Sequence, residues 1–235
     1  QGGSDTDWQR SGEHEGTRYR FNRAGNLTHR EDGDGLLELD WDANRRLIRS
    51  RRASPDGMMS LTTYAYDPLG RRLFKETSGE RTCFGWDGDE LALDSLHTRV
   101  REFIYRPASF EPLAMLGAAE SGPLIYLNDP NGSPIRLIDR TGQLQWAASY
   151  TAWGGIGKLH YECVDNPIRL QGQYADAETG LHYNRHRYFC SKSGSFVSED
   201  YLGQLAGENL YQFGPNSLQW IDPFGLACKG LGKYK

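Results

Sequence analysis

Cysteine, long apolar runs and an excess of positive charge are all scarce in this chain of 235 residues. The four cysteines (Cys83, Cys163, Cys190 and Cys228) are far apart and form no CxxC or Cys/His cluster, so neither a structural zinc site nor a disulfide framework is expected. The longest apolar stretch, residues 113–119, is far too short to cross a membrane. The formal net charge of −4 argues against binding to duplex nucleic acid, which needs a basic face. We therefore expect no cofactor, no metal, no membrane and no nucleic acid as partners.

A starting methionine and a signal-peptide pattern are also absent, so we expect a piece of a longer protein. Aromatic residues, by contrast, make up 12% of the chain, which favours a folded protein over an acidic disordered one. With 28 glycines and 10 prolines, the sequence is interrupted too often for long helices and predicts strands and turns. Only two stretches, near residues 200–207 and 219–221, suggest short helical segments.

A repeat runs along the first two thirds of the chain. Its unit is typically aromatic, any residue, aromatic, then Asp or Asn before a turn, as in Tyr64-Ala-Tyr-Asp-Pro-Leu-Gly-Arg-Arg-Leu73. Alternation along a strand places the two rings on one face, and Asp followed by Gly or Pro makes the turn. The second aromatic positions recur at steps of 20, 25, 20, 19 and 21 residues: Phe21, Trp41, Tyr66, Trp86, Tyr105 and Tyr126.

Each unit predicts a β-hairpin that cannot bury its rings alone, so neighbouring hairpins must join into a continuous sheet. We predict an all-β fold in which these hairpins form part of a β-shell or solenoid sheet. The alternative is an ordinary antiparallel sandwich with coincidental turns. After Gly157 the repeat gives way to a turn-rich segment, and we predict a division into a sheet segment (residues 1–157) and a C-terminal plug (residues 158–226).

The repeat resembles the tyrosine–aspartate (YD) repeats of Rhs proteins, and the plug resembles their core-associated region more closely. Asn166–Asn184 (NPIRLQGQYADAETGLHYN) is similar to the family signature around Q-Y-x-D-x-E-T-G-L-x-Y-N, and Arg187-Tyr-Phe is similar to its R-Y-Y. Asn209–Leu226 (NLYQFGPNSLQWIDPFGL) resembles the family ending N-L-Y-x-Y-x-P-N-P-x-x-W-x-D-P-x-G-L. The resemblance covers essentially the whole chain.

Membership in this family implies a polymorphic toxin used in interbacterial competition. The YD repeats of such proteins wind into a closed shell that encloses a variable C-terminal toxin. The implied partners are the rest of the shell, that toxin, and the spike and adaptor proteins of a secretion apparatus such as type VI. The implied route is synthesis in the bacterial cytoplasm, then secretion or delivery into a target cell by contact.

The resemblance also implies that the chain cuts itself after the last Leu of the ending, with two aspartates acting as in an aspartic protease. The matching bond is Leu226–Ala227, and the matching aspartates are Asp200 and Asp222, 22 residues apart. Such chemistry needs one ionised carboxylate to activate water and one protonated carboxyl to polarise the carbonyl, so the pair shares a proton. From the residues alone, a simple turn-forming role for Asp222 before proline is favoured.

Four positions depart from the family pattern. Tyr201 and Gln204 stand where the first aspartate motif has Pro and Leu, Ser195 stands where the family has Arg, and Cys190 stands where it has Asp. The departures bear on the rigidity of the turn and on any help that an arginine gives to the carboxylates. His182 and His186, four residues apart with no third ligand, are too weak a pattern for a metal site.

Only residues 227–235 follow the predicted cut, and we interpret them as the truncated start of the toxin region, because nine residues cannot bury a core. Two alternatives to self-cleavage stay open. One is a purely structural or adhesive fragment that does not cut. The other is a carbohydrate-binding surface module that uses exposed aromatic side chains such as Trp41 or Trp86.

Overall fold

Short hairpins account for most of the chain. The computed structural model describes residues 10–119, 122–206, 208–226 and 229–230, with only the backbone at 204, 206, 229 and 230. Fifteen strands form one antiparallel sheet in which each strand pairs with the next along the chain. They are β1 (Arg10–His14), β2 (Thr17–Phe21), β3 (Leu27–Asp32), β4 (Gly35–Trp41), β5 (Leu47–Ala53), β6 (Met59–Tyr66), β7 (Arg72–Thr77), β8 (Glu80–Asp87), β9 (Glu90–Leu96), β10 (Arg99–Tyr105), β11 (Pro112–Leu116), β12 (Leu124–Asn128), β13 (Pro134–Asp139), β14 (Leu144–Tyr150) and β15 (Ile156–Glu162).

The aspartates of the repeat build turns between these strands. The carbonyl oxygen of Asp67 accepts a hydrogen bond from Gly70 N at 3.0 Å, and its Oδ1 accepts one from Arg71 N at 2.8 Å. Asp129 accepts the same two bonds from the third and fourth residues after it, at 3.0 and 2.9 Å. Gly70 has a φ of +79°, which glycine adopts without steric penalty. The prediction of an all-β fold built from hairpins is therefore confirmed.

Residues 163–226, called the C-terminal segment below, pack against one face of this sheet. They contain a four-stranded antiparallel sheet of β16 (Tyr174–Asp176), β17 (Leu181–Asn184), β18 (Arg187–Cys190) and β19 (Ser195–Phe196). Two hydrophobic clusters combine both parts of the chain. In one, Leu27 and Tyr64 of the large sheet pack with Tyr188 of β18, and in the other Phe84 packs with Tyr174 of β16.

A buried ionic cluster also joins the two parts. Arg72 of β7, which is fully buried, lies 2.5 Å from Asp176 of β16, and Lys75 lies 3.0 Å from the other oxygen of the same carboxylate. The guanidinium lies over the rings of Phe84 and Tyr183 at 4.3 and 4.4 Å. Burial raises the pKa of Asp176, but the adjacent cations Arg72 and Lys75 outweigh it and lower this pKa below its ordinary value. The C-terminal segment is thus bound to the sheet by charge as well as by apolar packing.

Three details differ from the sequence-based expectations or refine them. β15 runs through the predicted division at 157/158, so the large sheet continues to Glu162, and the division into domains stays a prediction. A 3-10 helix forms at Gly203–Ala206, near one suggested helical stretch. The other suggestion, at 219–221, is wrong, because β20 (Trp220–Ile221) pairs there with β21 (Lys229–Gly230). In the described ranges, we find no helix long and apolar enough to span a membrane.

Candidate active site

The hairpin of β17 and β18 places an arginine in the interior. Every residue of both strands is buried, and Arg187, the first residue of β18, pairs with Asn184 of β17. Arg185 between them has a φ of +57°, which allows the tight turn. A guanidinium enclosed in this way requires acceptors on all sides, since burying an unpaired charge is strongly unfavourable. The acceptors around Arg187 define the candidate site.

Asp200 supplies one of these acceptors. Its Oδ2 lies 2.8 Å from Arg187 Nη2, and its Oδ1 accepts a hydrogen bond from Leu202 N at 2.8 Å. The carbonyl oxygen of Asp200 accepts a further bond from Gly203 N at 3.0 Å. The turn therefore forms even though Tyr201 stands where the family has proline.

Asp222 supplies a second acceptor from a separate turn. It is fully buried, and its Oδ2 lies 3.3 Å from the same Arg187 Nη2. The carbonyl oxygen of Asp222 accepts from Gly225 N at 3.2 Å and from Asn184 Nδ2 at 2.8 Å, while its Oδ1 accepts from Leu226 N at 3.0 Å. The last contact binds the residue before the predicted cut directly to one of the two predicted aspartates.

Arg187 thus brings the two aspartates together. Because both carboxylate oxygens contact one nitrogen, they lie within about 6 Å of each other, the sum of the two distances. The guanidinium also donates to the carbonyl oxygens of Leu210, at 3.0 Å, and of Gly225, and it lies 3.6 Å from the centre of the Phe196 ring. One cation facing two ionised carboxylates leaves one net negative charge in this buried cluster.

The sequence alone did not assign a site role to Arg187. From the sequence, Arg187 is only part of a family motif, and the departure at Ser195 bears on any assistance that an arginine gives to the carboxylates. In the fold, Ser195 instead hydrogen-bonds to Ser193 at 2.8 Å, and Cys190 is buried in the shared core. The available signal was an arginine beginning an otherwise apolar strand, where only buried partners explain a charge.

No protein-family model matches the chain, but curated toxin proteins do. Double-stranded DNA deaminase toxin A of Burkholderia cenocepacia is 32% identical over 250 residues, and toxin protein Tse5 of Pseudomonas aeruginosa is 33% identical over 248 residues. Probable deoxyribonuclease RhsA of Dickeya dadantii is 32% identical over 239 residues. These alignments include 93%, 90% and 94% of this chain. The chain belongs to the Rhs family. It spans only 17%, 19% and 16% of the respective relatives.

Solved structures show the same fold as this Rhs chain. A chain in a crystal structure of TcdB2-TccC3-TEV matches 89% of it with a TM-score of 0.63 and 19% identity. A structure of the Photorhabdus luminescens Tc holotoxin pore matches 91% of it with a TM-score of 0.63 and 18% identity. In both cases the match spans 13% of the solved chain. At this identity the likeness shows the fold alone.

His182 and His186, the two histidines of the C-terminal segment, lie in different environments. His182 is buried with its Nδ1 2.8 Å from Gln173 Oε1, and burial lowers its pKa to about 3. His186 is half-buried, and burial together with the neighbouring Arg185 lowers its pKa. Among the described residues, no group of three His, Cys, Asp or Glu side chains is arranged to hold a metal.

The other residues singled out from the sequence lie partly inside and partly outside the described residues. Leu226 is partly buried beside Asp222, whereas Ala227, and with it the predicted scissile bond, lies outside the described residues. The side chain of Gln204 also lies outside them. Trp41 and Trp86 are partly buried, and both pack against the core and donate their indole N–H to carbonyl oxygens of the sheet at 2.6 and 2.8 Å.

Proposed function

We propose that this chain is the closing part of an Rhs toxin shell, which encloses a C-terminal effector and separates it by cutting the Leu226–Ala227 bond. Asp200 and Asp222 perform the cut, and Arg187 positions both carboxylates. The single observation that carries the proposal is the contact of both buried aspartates with one guanidinium, beside the backbone of Leu226.

The chemistry is the hydrolysis of one peptide bond. The ionised carboxylate accepts a proton from water as the water oxygen attacks the carbonyl carbon of Leu226. The protonated carboxyl donates a hydrogen bond to the carbonyl oxygen, and the bond to the nitrogen of Ala227 then breaks. That nitrogen takes the proton that the first carboxylate accepted from water, so the products are a carboxyl group on Leu226 and a free amine on Ala227, and both aspartates return to their starting states. Burial in a low-dielectric interior strengthens each of these electrostatic contributions.

Encapsulation and delivery belong to the whole protein. Support comes from the names of the relatives, two of which are toxins and one a probable deoxyribonuclease, and from the small share of their length that this chain spans. The partners we propose are the rest of the shell and the toxin that follows residue 226, together with spike and adaptor proteins. We propose synthesis in the bacterial cytoplasm and contact-dependent delivery, for example by type VI secretion. Residues 158–226 form the cutting plug, and residues 227–235 begin the toxin region.

The test is the intact mass of the protein extended beyond Lys235 by a natural or tag sequence. We expect wild type to be cut after Leu226, and Asp200→Asn and Asp222→Asn to stay whole. Asp129→Asn is the matched control, because Asp129 makes the same turn bonds as Asp222 without Arg187. Folded wild type that stays whole at every pH, or cutting that survives both site variants, would refute the proposed mechanism.

A purely structural role is the second candidate. It is favoured by the turn of Asp222, which has the same local bonds as the turns of Asp67 and Asp129 in the sheet. In that case Arg187 stabilises two turns and nothing is cut. The mass experiment separates the two candidates, since only the first produces a new end at Leu226.

A further inference from the structure

The three charged groups of the candidate site all come from the C-terminal segment, but the turn that carries Asp222 also touches the large sheet. Phe224, two residues after Asp222, packs edge-on against Phe110, with ring centroids 5.3 Å apart and planes at 85°. Phe110 lies in the connection between β10 and β11. The ring contact therefore links a hairpin of the sheet to the turn that carries the second aspartate.

The other contacts of this turn restrain its backbone. The carbonyl oxygen of Phe224 accepts a hydrogen bond from His186 N at 3.2 Å. Gly172 packs so closely on Pro223 that an added Cβ would lie 2.5 Å from the Pro223 carbonyl oxygen. Phe110, Gly172 and Pro223 line one narrow cavity of 20 Å³, so little free space remains between the turn and the sheet.

We propose that Phe110 is a positioning residue for self-cleavage, through which the β10–β11 hairpin holds the Asp222 turn in its cutting geometry. The proposal rests on the proposed function. It adds that the cutting site is incomplete without the sheet, so that cutting depends on a correctly packed wall. Phe110 touches neither carboxylate and acts only through Phe224.

Phe110 affects the position of Asp222 through Phe224, which lies in the same short turn as Asp222. Removing the Phe110 ring opens a void beside Phe224, and the turn can then move toward the space that the ring occupied. Asp222 is in the same four-residue turn, so such a movement changes its distance from Arg187 and from Leu226. A misplacement on the order of 1 Å lowers catalytic rates by about 100-fold in the most sensitive cases. We expect at least a tenfold slower cut for Phe110→Ala.

The experiment is a double-variant cycle on the extended protein, with the first-order rate of cutting followed by intact mass. Phe110→Ala and Phe224→Ala should each slow the cut at least tenfold, and the double variant should be no slower than Phe224→Ala alone. Phe110→Leu should restore most of the rate, because it refills the void. Phe74→Ala is the control: this partly buried ring packs under Arg81 on the other face of the sheet, and its loss should leave the rate unchanged.

A second measurement does not depend on cutting. In the Asp200→Asn background, hydrogen exchange at the amides of Gly225 and Leu226 reports the turn directly, because both amides donate to Asp222. We expect Phe110→Ala to speed exchange at both amides and Phe74→Ala to leave it unchanged. This measurement also decides the matter if Phe110→Ala lowers overall stability, since global unfolding would speed exchange at core amides as well.

The outcomes separate this proposal from the proposed function. Suppose that wild type cuts and both aspartate variants do not. A normal cutting rate and normal hydrogen exchange in Phe110→Ala then overturn only the proposed role of Phe110, and the proposed function stands. An equal slowing by Phe110→Ala with and without Phe224 also overturns it, because the ring would then act elsewhere. A folded wild type that never cuts overturns the proposed function itself, and with it any cut for Phe110 to position.

Discussion

Arg187 is the residue whose replacement tests the charge balance of the site most directly. Its buried guanidinium lies 2.8 Å from Asp200 and 3.3 Å from Asp222. In Arg187→Met the apolar stem is kept, while two buried carboxylates lose their cation. Removing one partner of a buried ion pair destabilises a protein by about 3–5 kcal/mol. We expect a loss of this size in the free energy of unfolding, against a total of roughly 5–15 kcal/mol for a natural domain.

A thermodynamic cycle separates the charges from the packing. The variant Asp200→Asn/Asp222→Asn removes both negative charges but leaves the guanidinium its bonds to the carbonyl oxygens of Leu210 and Gly225. We expect this pair of changes to cost about 3–5 kcal/mol, because it leaves the buried guanidinium without a carboxylate. Adding Arg187→Met then removes the last buried charge of the cluster. The triple variant should therefore be more stable than Arg187→Met alone.

The assay is urea unfolding followed by tryptophan fluorescence at neutral pH. Arg49→Met is the control, because Arg49 pairs with Asp40 at 2.7 Å while 46% of its side chain is exposed. An exposed pair contributes less than about 1 kcal/mol, so this variant should unfold almost as wild type does. If the three site changes simply add to within about 0.5 kcal/mol, the groups are not coupled and the reasoning is refuted.

Three further predictions concern the pH dependence of stability, the ion pair between Asp176 and Arg72 that joins the C-terminal segment to the sheet, and the turn that carries Asp222. Because burial lowers the pKa of His182 to about 3 from 6.5, the unfolded chain binds the extra proton first as pH falls. His182 should thus lower stability by about 2 kcal/mol between pH 8 and pH 5. His182→Gln should remove this slope in urea titrations at the two pH values. Asp176→Asn should lose about 3–5 kcal/mol in the same assay, because it leaves Arg72 buried without its carboxylate. Gly225→Ala should abolish cutting in the mass assay, because its φ is +66° and its Cβ would meet a backbone oxygen at 2.6 Å. Gly57→Ala, with a φ of +85° and open space around it, should cut normally.

The hairpins could be predicted because their causes are local. Several turns depend on one aspartate whose carbonyl and carboxylate oxygens accept hydrogen bonds from the amides three and four residues later, as those of Asp67 do. Aromatic side chains at every second position of a strand lie on the same face, and this indicates which face is buried. Tyr64, for example, is buried in the core, while Tyr66 packs against its edge. None of this requires knowledge of distant contacts, and the repeat spacing alone was enough to predict one continuous sheet.

The rest of the fold could not be predicted because its causes are distant in sequence. Nothing near Trp220 signals that β20 pairs with a strand beyond the ending, so the local sequence suggests a helical segment where the structure has a strand. Likewise β15 continues past residue 157, although the aromatic pattern stops there. Arg187 finds its acid partners 13 and 35 residues later in the chain, and only the packing of the segment brings them together.

The turns of Asp67, Asp129 and Asp222 show why sequence alone favoured a structural role for Asp222. All three aspartates accept a bond from the fourth residue after them through Oδ1, at 2.8, 2.9 and 3.0 Å. The differences arise outside the turn: the carboxylate of Asp67 pairs with its neighbour Arg71 near the surface, whereas that of Asp222 shares a buried guanidinium with Asp200. A motif of this kind can therefore encode a hairpin or a reactive pair, and the packing around it decides which. It follows that any cutting by this chain should be lost whenever the C-terminal segment separates from the sheet, even with every residue of the motif in place.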